Sequence, residues 1–450
     1  MRTHRITALV ALILATAAGS VGAEAGEPGF YITDEIFVIP GRTQEAALIA
    51  EIGSAEGLSF PTKASLEDYA RTRTQQLENT RTFSKTTITV DYPSTMTGDG
   101  PIPVTLTVTI EDGTKFLPIP YAFYNSNDGF LSGVVANVPN LGGTLQDLVF
   151  VTLYAAPPDE NDNLRWTDPN FMLLGAWNGI RVGKQKLALM GTVMRMNREI
   201  EDRGVIKVEY QEFTLIGAAE LTRPVTDSLD AIVEANVGGS PSNSDIRVQD
   251  DAYLMYGPLD FFWSAGYGAK LDKVDWIGNF RNGYKGNAKA KYTAFWPSEA
   301  DAAGEIRIEA DFSGYYAVNR RINPSFRLAA FAKTGDPDLE AGSLTRGMRD
   351  GSLKGQAGVF ANTTLQTLLA RAGHTEFHFS PLVDFAWTWS PDDDEYVYDW
   401  GFTAGGEFIT LFDSIKSLPI KIAYSYDLRP ESRIHNGNPY EFEFSFSFAY

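Results

Sequence analysis

The sequence predicts a mainly β protein in which one small α+β domain precedes a transmembrane antiparallel β-barrel of about sixteen strands. Three observations lead to this prediction. The 450 residues begin with the pattern of an export signal. No later segment has the run of about eighteen apolar residues that a membrane-spanning helix needs. From residue 115 onward, runs of about ten residues alternate apolar with polar side chains, as the strands of a membrane barrel do.

Residues 1–23 are predicted to form a secretory signal peptide. Arg2 and Arg5 give a basic start, residues 6–18 form an apolar run, and small residues follow up to Ala23. An apolar run of about a dozen residues is too short to span a bilayer, which favours cleavage before Glu24 over an N-terminal membrane anchor. Residues 24–30 are then expected to be a short linker.

Residues 31–114 are predicted to fold as a compact α+β domain with the element order β-α-α-β-β. A break at Gly57 separates the two helices. Thr43 is expected to cap the first helix, and Ser65 is expected to cap the second, which continues to Asn79. The predicted strands are residues 34–39, 83–92 and 104–110.

Residues 115–450 are predicted to form the barrel, and the C-terminal segment has the clearest pattern. Period-two alternation places its aromatic side chains on one face of a strand and its polar or small side chains on the other. Such a strand suits a lipid-facing exterior and a polar lumen, and an even number of strands is expected for closure. The aromatic residues are Tyr440, Phe442, Phe444, Phe446, Phe448 and Tyr450.

The composition excludes several classes of function. The formal charge of −19 argues against a nucleic-acid partner, because phosphate binding needs clustered Lys and Arg. The absence of Cys removes disulfides, thiolate metal sites and a Cys nucleophile. The sequence also has no phosphate-binding glycine loop and no nucleophile elbow. We therefore expect no catalytic centre, no cofactor and no enzymatic activity.

Two clusters of polar residues could bind a metal but have simpler explanations. His374, Glu376 and His378 share one face of a predicted strand, and lumen-facing polar residues produce the same pattern as a metal site. The acidic run at residues 392–395 could hold calcium, but like-charge runs usually mark exposed loops. No metal site is predicted from either cluster.

The first domain resembles a POTRA module, the polypeptide-transport domain with β-α-α-β-β order. The resemblance is carried by IPGRT at residues 39–43, EG at 56–57 and LENTRTF at 77–83. The segments PIP at 118–120 and NSNDG at 125–129 are similar to the start of a barrel of the BamA/TamA type, the bacterial surface antigen family. The resemblance covers nearly all of the predicted mature chain.

The strongest match is LTRGMRDG at residues 344–351, which resembles the Val-Arg-Gly-Phe/Tyr motif of that family. In the family this motif lies in a long loop between strands eleven and twelve that folds into the lumen. Its Arg contacts an Asp on strand thirteen, and the segment LVDFA at 382–386 resembles the one that contains this Asp. The resemblance thus implies a loop lock in which Asp384 is the partner of Arg346, beside Gly347 and Met348. Thr345, Met348, Leu382 and Ala386 depart from the family pattern.

The resemblance also implies a function. A BamA/TamA-type protein would assist insertion or translocation of proteins, or of lipid, at the outer membrane of a diderm bacterium, with its POTRA-like domain in the periplasm. Its partners would be outer-membrane lipid, extended client polypeptides that bind the POTRA-like domain, and accessory assembly proteins. The C-terminal aromatic residues resemble the signal by which barrel proteins are recognised for insertion. A porin-like channel, a surface-exposed binding or adhesion barrel, and a soluble all-β enzyme are the alternatives.

Overall fold

A computed structural model describes most of the chain downstream of the predicted signal peptide. The predicted signal and nearly all of the predicted linker lie outside the described residues. Within the described part of the chain, no helix has the length and apolar character needed to cross a membrane. The described ranges are 29–93, 100–113, 116–125, 129–156, 169–202, 205–226, 228–248, 261–296, 304–335, 344–348, 353–392, 395–412, 415–429 and 440–446.

The N-terminal domain is a four-stranded mixed sheet with two helices. The strands lie in the order β2-β1-β4-β3, with β1 and β4 parallel and the other neighbours antiparallel. The predicted order β-α-α-β-β is therefore extended by the short strand β2, which follows the break at Gly57. The elements are β1 Phe30–Val38, α1 Glu45–Ile52, β2 Ser59–Phe60, α2 Lys63–Asn79, β3 Phe83–Asp91 and β4 Ile102–Asp112.

Both predicted helix caps are wrong. The α2 cap is Thr62: its hydroxyl accepts the N–H of Ser65 at 3.1 Å, and the Ser65 hydroxyl accepts the N–H of Thr62 at 3.2 Å. Ser65 is thus the third helical residue of a reciprocal capping box. The residue before α1 is Gln44, whose side chain makes no capping bond. Thr43 instead donates to the Asp112 carboxylate and accepts from Asn140 Nδ2 at 2.6 Å.

One buried ion pair joins the sheet of this domain to α2. Arg73 donates to Glu35 of β1 at 2.8 Å, and the two side chains are 2% and 1% exposed. Glu35 also accepts the N–H of Ala55 at 2.7 Å, and Arg73 donates to the Gly53 carbonyl at 2.5 Å. Because both charges are removed from water, each depends on the other for its stability.

Sixteen antiparallel strands in the described part of the chain form a closed barrel, which confirms the predicted fold class. Each strand pairs with the next, and the last strand, β20, pairs with the first, β5. The barrel strands are β5 Leu117–Asn125, β6 Gly129–Val138, β7 Asp147–Ala156, β8 Asn170–Val182, β9 Gln185–Asp202, β10 Val205–Pro224, β11 Leu229–Val248, β12 Phe261–Ile277, β13 Phe280–Trp296, β14 Gly304–Tyr315, β15 Ile322–Lys333, β16 Ala357–Ala372, β17 Thr375–Asp392, β18 Glu395–Phe412, β19 Ile415–Asp427 and β20 Tyr440–Phe446.

The two faces of the barrel strands differ in polarity. On β14, Ile306 and Ile308 are about half exposed on the outer surface. Glu305 has the opposite orientation and pairs with Lys333 of β15 at 2.9 Å. An apolar exterior around a polar interior is the arrangement expected of a barrel surrounded by lipid.

The domain contacts the barrel at three turns on the side where β5 begins. At the β6–β7 turn, Arg42 donates to the Pro139 carbonyl at 2.6 Å, next to the buried Asn140. At the β8–β9 turn, Glu51 of α1 pairs with Arg181 and Lys186. At the β12–β13 turn, Arg81 of the domain and Arg281 of the barrel stack on the ring of Trp276.

The stack at the β12–β13 turn consists of Arg81, Trp276 and Arg281. The Arg81 guanidinium lies 3.4 Å from the centroid of the Trp276 ring, and that of Arg281 lies 4.6 Å from it. Burial, together with the charge of Arg281, lowers the pKa of Arg81 to about 10. Arg81 therefore remains charged at neutral pH, and the indole face stabilises both guanidinium groups.

We expect Arg73→Met to destabilise the domain by about 3–5 kcal/mol, because it leaves the Glu35 carboxylate buried without its cation. Hydrogen exchange of the α2 amides in the full-length protein measures this loss. Arg71→Met is the matched control on the same helix. Arg71 pairs with Asp68 at the surface, with side chains 79% and 62% exposed, so its loss should cost less than about 1 kcal/mol. Equal exchange in the two variants would contradict the prediction.

Candidate functional site

The candidate site is the tip of the loop between β15 and β16, the eleventh and twelfth barrel strands. We define the loop tip as residues 344–348. It lies inside the barrel against the inner faces of β17 to β20. Thr345 and Met348 are almost fully buried there. The loop therefore lies between the strands that the sequence resemblance implied, and it occupies part of the lumen.

Arg346 and Asp384 are in contact. Asp384 lies on β17, the thirteenth barrel strand, and its side chain is 0% exposed. Arg346 Nε donates to one carboxylate oxygen at 2.9 Å, and NH2 donates to the other at 2.6 Å. The backbone N–H of Arg346 also donates to Asp384, at 3.0 Å. Two parallel side-chain bonds fix the orientation of the guanidinium as well as its position.

Arg346 also contacts residues on the two strands that flank β17. Its NH1 lies 3.3 Å from Glu407 of β18, and its NH2 donates to the Thr363 carbonyl of β16 at 3.2 Å. Thr403 of β18 donates its hydroxyl to the Arg346 carbonyl at 2.6 Å. The arginine therefore connects three consecutive strands of the barrel wall.

Gly347 allows the loop backbone to approach the wall closely. Its φ is +84°, a left-handed conformation that favours glycine. A Cβ at this position would lie 2.6 Å from Cβ of Ser425 on β19, so a side chain would also collide with the wall. The N–H of Gly347 donates to Glu441 of β20. Gly347 thereby joins the loop tip to the last strand.

Met348 holds the loop by apolar packing. It forms a buried cluster with Leu353, Phe331 of β15, Phe360 of β16 and Ala386 of β17. The rings of Phe331 and Phe360 stack with centroids 6.0 Å apart. A Cβ at Gly401 of β18 would collide with the Met348 side chain, so that glycine provides the space. Two aromatic rings from the wall thus pack in the same cluster as Met348, the residue at the aromatic position of the sequence motif.

A row of charged side chains continues from the loop tip to the last strand. Lys421 of β19 lies 3.7 Å from Glu407 and 2.6 Å from Glu443 of β20. Four residues of the site were not predicted from the sequence: Lys421, Glu407, Glu441 and Glu443. Their only signal was a polar residue at an inward-facing position, which many lumen residues share.

The other predicted residues lie elsewhere. Phe442 of β20 is exposed on the outer surface and its ring is 6.4 Å from that of Tyr124 on β5. Phe444 lies in the same strand and pairs with Tyr124 in register. Phe446 is the last residue of β20. Phe448 and Tyr450 lie outside the described residues.

His378 and Glu376 lie together at the start of β17. His378 is fully buried, with Nε2 3.1 Å from Glu376 and Nδ1 3.2 Å from Gln366 Nε2. Asn279 of the β12–β13 turn donates to Glu376 at 2.9 Å. Among the described residues, no group of three or more His, Cys, Asp or Glu side chains is arranged for a metal ion. Asp393 and Asp394 of the acidic run lie outside the described residues.

We expect Arg346→Ala to weaken the barrel by about 3–5 kcal/mol, because Asp384 would remain buried without its cation. Resistance of the folded barrel to heat in mild detergent, scored by electrophoretic mobility, measures the loss. Arg346→Lys keeps the charge but not the two parallel bonds, so it should fall between Arg346→Ala and the wild type. An Arg346→Ala barrel as heat-resistant as the wild type would show that the contact does not stabilise the loop.

Known proteins match this chain by structure, whereas no family model and no curated protein matches it by sequence. BamA from Haemophilus ducreyi lacking POTRA domains 1–3 is 13% identical, with 94% of this chain and 86% of that chain covered and a TM-score of 0.52. CdiB from Acinetobacter baumannii is 14% identical, with 94% and 74% covered and a TM-score of 0.59. CdiB from Escherichia coli is 11% identical, with 96% and 93% covered and a TM-score of 0.54. The chain therefore has the fold of BamA and CdiB, in agreement with the BamA/TamA resemblance of its sequence.

Proposed function

We propose that this protein resides in the outer membrane and assists the insertion or translocation of other polypeptides there. The fold shared with BamA and CdiB supports the proposal, although fold alone does not determine function. The observation that carries it is the seam between the last and first barrel strands, where β20 pairs with β5. A seam of this kind can open toward lipid and offer strand edges to an incoming chain.

Among the described residues, β20 and β5 share four pairs, from Glu443 with Asn125 to Phe446 with Ala122. Next to the seam, β19 and β20 share seven pairs, and β5 and β6 share nine. Within the described residues, the seam therefore contains fewer backbone pairs than either neighbouring strand pair.

The occupied lumen favours this function over a porin-like channel. The loop tip and its ion pairs fill space beside the inner faces of β17 to β20. A barrel that conducts ions steadily needs a continuous wet passage. We therefore expect the barrel to have low conductance while the loop tip is in place.

The POTRA-like domain has a strand edge that suits an extended client segment. In the described part of the sheet, β3 lies at the edge and pairs with β4. Beside it lies a groove of about 260 Å³ between β3 and α2, with apolar and charged walls. An added strand would gain main-chain hydrogen bonds from the edge and side-chain contacts from the groove. The groove residues are Glu67, Ala70, Arg71, Thr74, Ile88, Val90 and Tyr92.

Depletion of the protein should lower the amount of folded outer-membrane barrels if polypeptides are its cargo. The measurement is quantitative proteomics of the outer membrane together with heat-modifiability of individual barrels. Restored expression of the wild type should reverse the effect. A defect confined to surface lipid would assign lipid as the cargo. Normal barrels and normal surface lipid would remove the proposed function.

A disulfide across the seam should block activity if the seam must open. The chain has no Cys, so Phe123→Cys with Ser445→Cys, which are register partners on β5 and β20, would introduce an isolated thiol pair. We expect this variant to fail to replace the wild type under oxidation and to recover after reduction. The matched control is Ala122→Cys with Ser132→Cys within the β5–β6 hairpin. Full activity of the oxidised seam variant would show that the seam stays closed during function.

A further inference from the structure

The inner faces of β7, β8 and β9 differ from the polar lumen seen on β14. Glu220 of β10 faces the lumen, where it lies 3.5 Å from Lys289 of β13. Ala218 of the same face pairs in register with Met190 of β9, and Met190 pairs with Ala176 of β8. Register and period-two alternation therefore assign the inner residues of all three strands. Most of them are apolar, and they include Val151, Leu153, Met172, Leu174, Met190 and Met194.

We define the apolar wall as the inner residues from 149 to 155, 172 to 176 and 190 to 196. Its one polar member, Thr192, is buried. Met190 is 39% exposed and the other residues named above are partly exposed, so the apolar wall is accessible from the lumen. The loop tip lies against β17 to β20 instead. Contact between apolar side chains and water is unfavourable, which indicates an apolar ligand, and methionine side chains adapt to the shape of such a ligand.

The dimensions of the apolar wall match one acyl chain. The segment of β7 from residue 149 to residue 155 extends about 20 Å along the strand. Strands of membrane barrels are tilted by about 40°, so this length is about 15 Å along the barrel axis. One leaflet contributes about 15 Å to the hydrocarbon core of a bilayer. The apolar wall therefore has the height that an acyl chain occupies in one leaflet.

The end of the apolar wall next to the POTRA-like domain is basic. Arg181 of β8 pairs in register with Lys186 of β9, and Lys186 shares the inner face with Met190, four residues later. Both cations contact one carboxylate, that of Glu51 on α1, with Lys186 Nζ at 2.9 Å. The Lys186 side chain is 47% exposed. Two cations that share one carboxylate attract a further anion, and a phosphate group suits the guanidinium of Arg181.

We propose that the lumen binds one phospholipid, with an acyl chain on the apolar wall and the phosphate group at Arg181 and Lys186. The basic end and the apolar surface beside it are complementary to the two parts of such a molecule. An extended polypeptide fits less well, because its backbone N–H and C=O groups would lie against a wall whose only hydrogen-bonding side chain, Thr192, is buried. The inference goes beyond the proposed function and does not depend on it, because it concerns a ligand of the barrel rather than its cargo.

Photocrosslinking of the purified full-length protein in detergent tests the apolar wall. The probe is phosphatidylglycerol with a photoreactive group at the end of one acyl chain, and mass spectrometry identifies the crosslinked residues. Leu173 and Leu174 are neighbours on opposite faces of β8, with Leu173 exposed on the outside. We expect crosslinks at Leu174 and Met190 in addition to those on the outer surface. Crosslinks confined to the outer surface would overturn the inference.

Lys186→Gln tests the phosphate site, and because Lys186 is half exposed the barrel should still fold. This variant should lower crosslinking of Leu174 by phosphatidylglycerol about tenfold, since a charge-assisted contact is lost. It should not change crosslinking by the matching diacylglycerol, which has no phosphate group. Lys270→Gln is the matched control on the inner face of β12 and should leave both probes at wild-type levels.

The two probes also separate this inference from its alternatives. Equal crosslinking of the apolar wall by phosphatidylglycerol and diacylglycerol in the wild type would contradict the phosphate site. An amphipathic peptide that binds the apolar wall and is not displaced by phosphatidylglycerol would assign the wall to polypeptides and overturn the inference. Because the measurement needs no client, a negative depletion experiment would remove the proposed function without deciding this result.

Discussion

Closure of the barrel is the constraint on which the rest of the structure depends. In an apolar surrounding each strand must pair its backbone groups on both edges, so the sheet has to meet its own beginning. Here that requirement is met by β20, which pairs with β5. Closure also separates the two faces of each strand, because one faces the outside and the other the lumen. The lumen can therefore hold the charged residues that the outside cannot.

The charges in the lumen show how the loop is held in place. Asp384 is completely buried, and an isolated carboxylate in such a position would be costly. Arg346 offsets this cost with two side-chain bonds and one backbone bond. A buried pair of this kind adds little net stability compared with apolar packing, but loss of one partner is expensive. The pair therefore selects one position of the loop.

The fold and part of the site could be predicted because they depend on local patterns. Period-two alternation predicted the barrel, and the resemblance of the segments around Arg346 and Asp384 to the family's motifs implied the contact pair. Lys421 and Glu443 escaped prediction because their contact depends on the register between strands, which alternation within one strand does not reveal. Thr43 was assigned to a local cap, but distant partners, Asp112 and Asn140, bind its hydroxyl instead. Ser65 is not the cap of α2, because the N-cap is Thr62, three residues earlier, which forms the reciprocal capping box with it.

The loop tip is held by two kinds of interaction, apolar packing and directional hydrogen bonds, which share β16 and β17 and otherwise reach different strands. Met348 packs against β15, β16 and β17 through apolar contacts, which have no preferred direction. Arg346 and Gly347 reach β18 and β20 through directional bonds, which are lost over short distances. A force that displaces β20 would therefore break the bond from Gly347 to Glu441 first, while the apolar cluster and the Arg346–Asp384 pair keep the loop on the wall. When the seam closes again, the loop tip would already be in position, because its apolar contacts with β15 to β17 had not been broken.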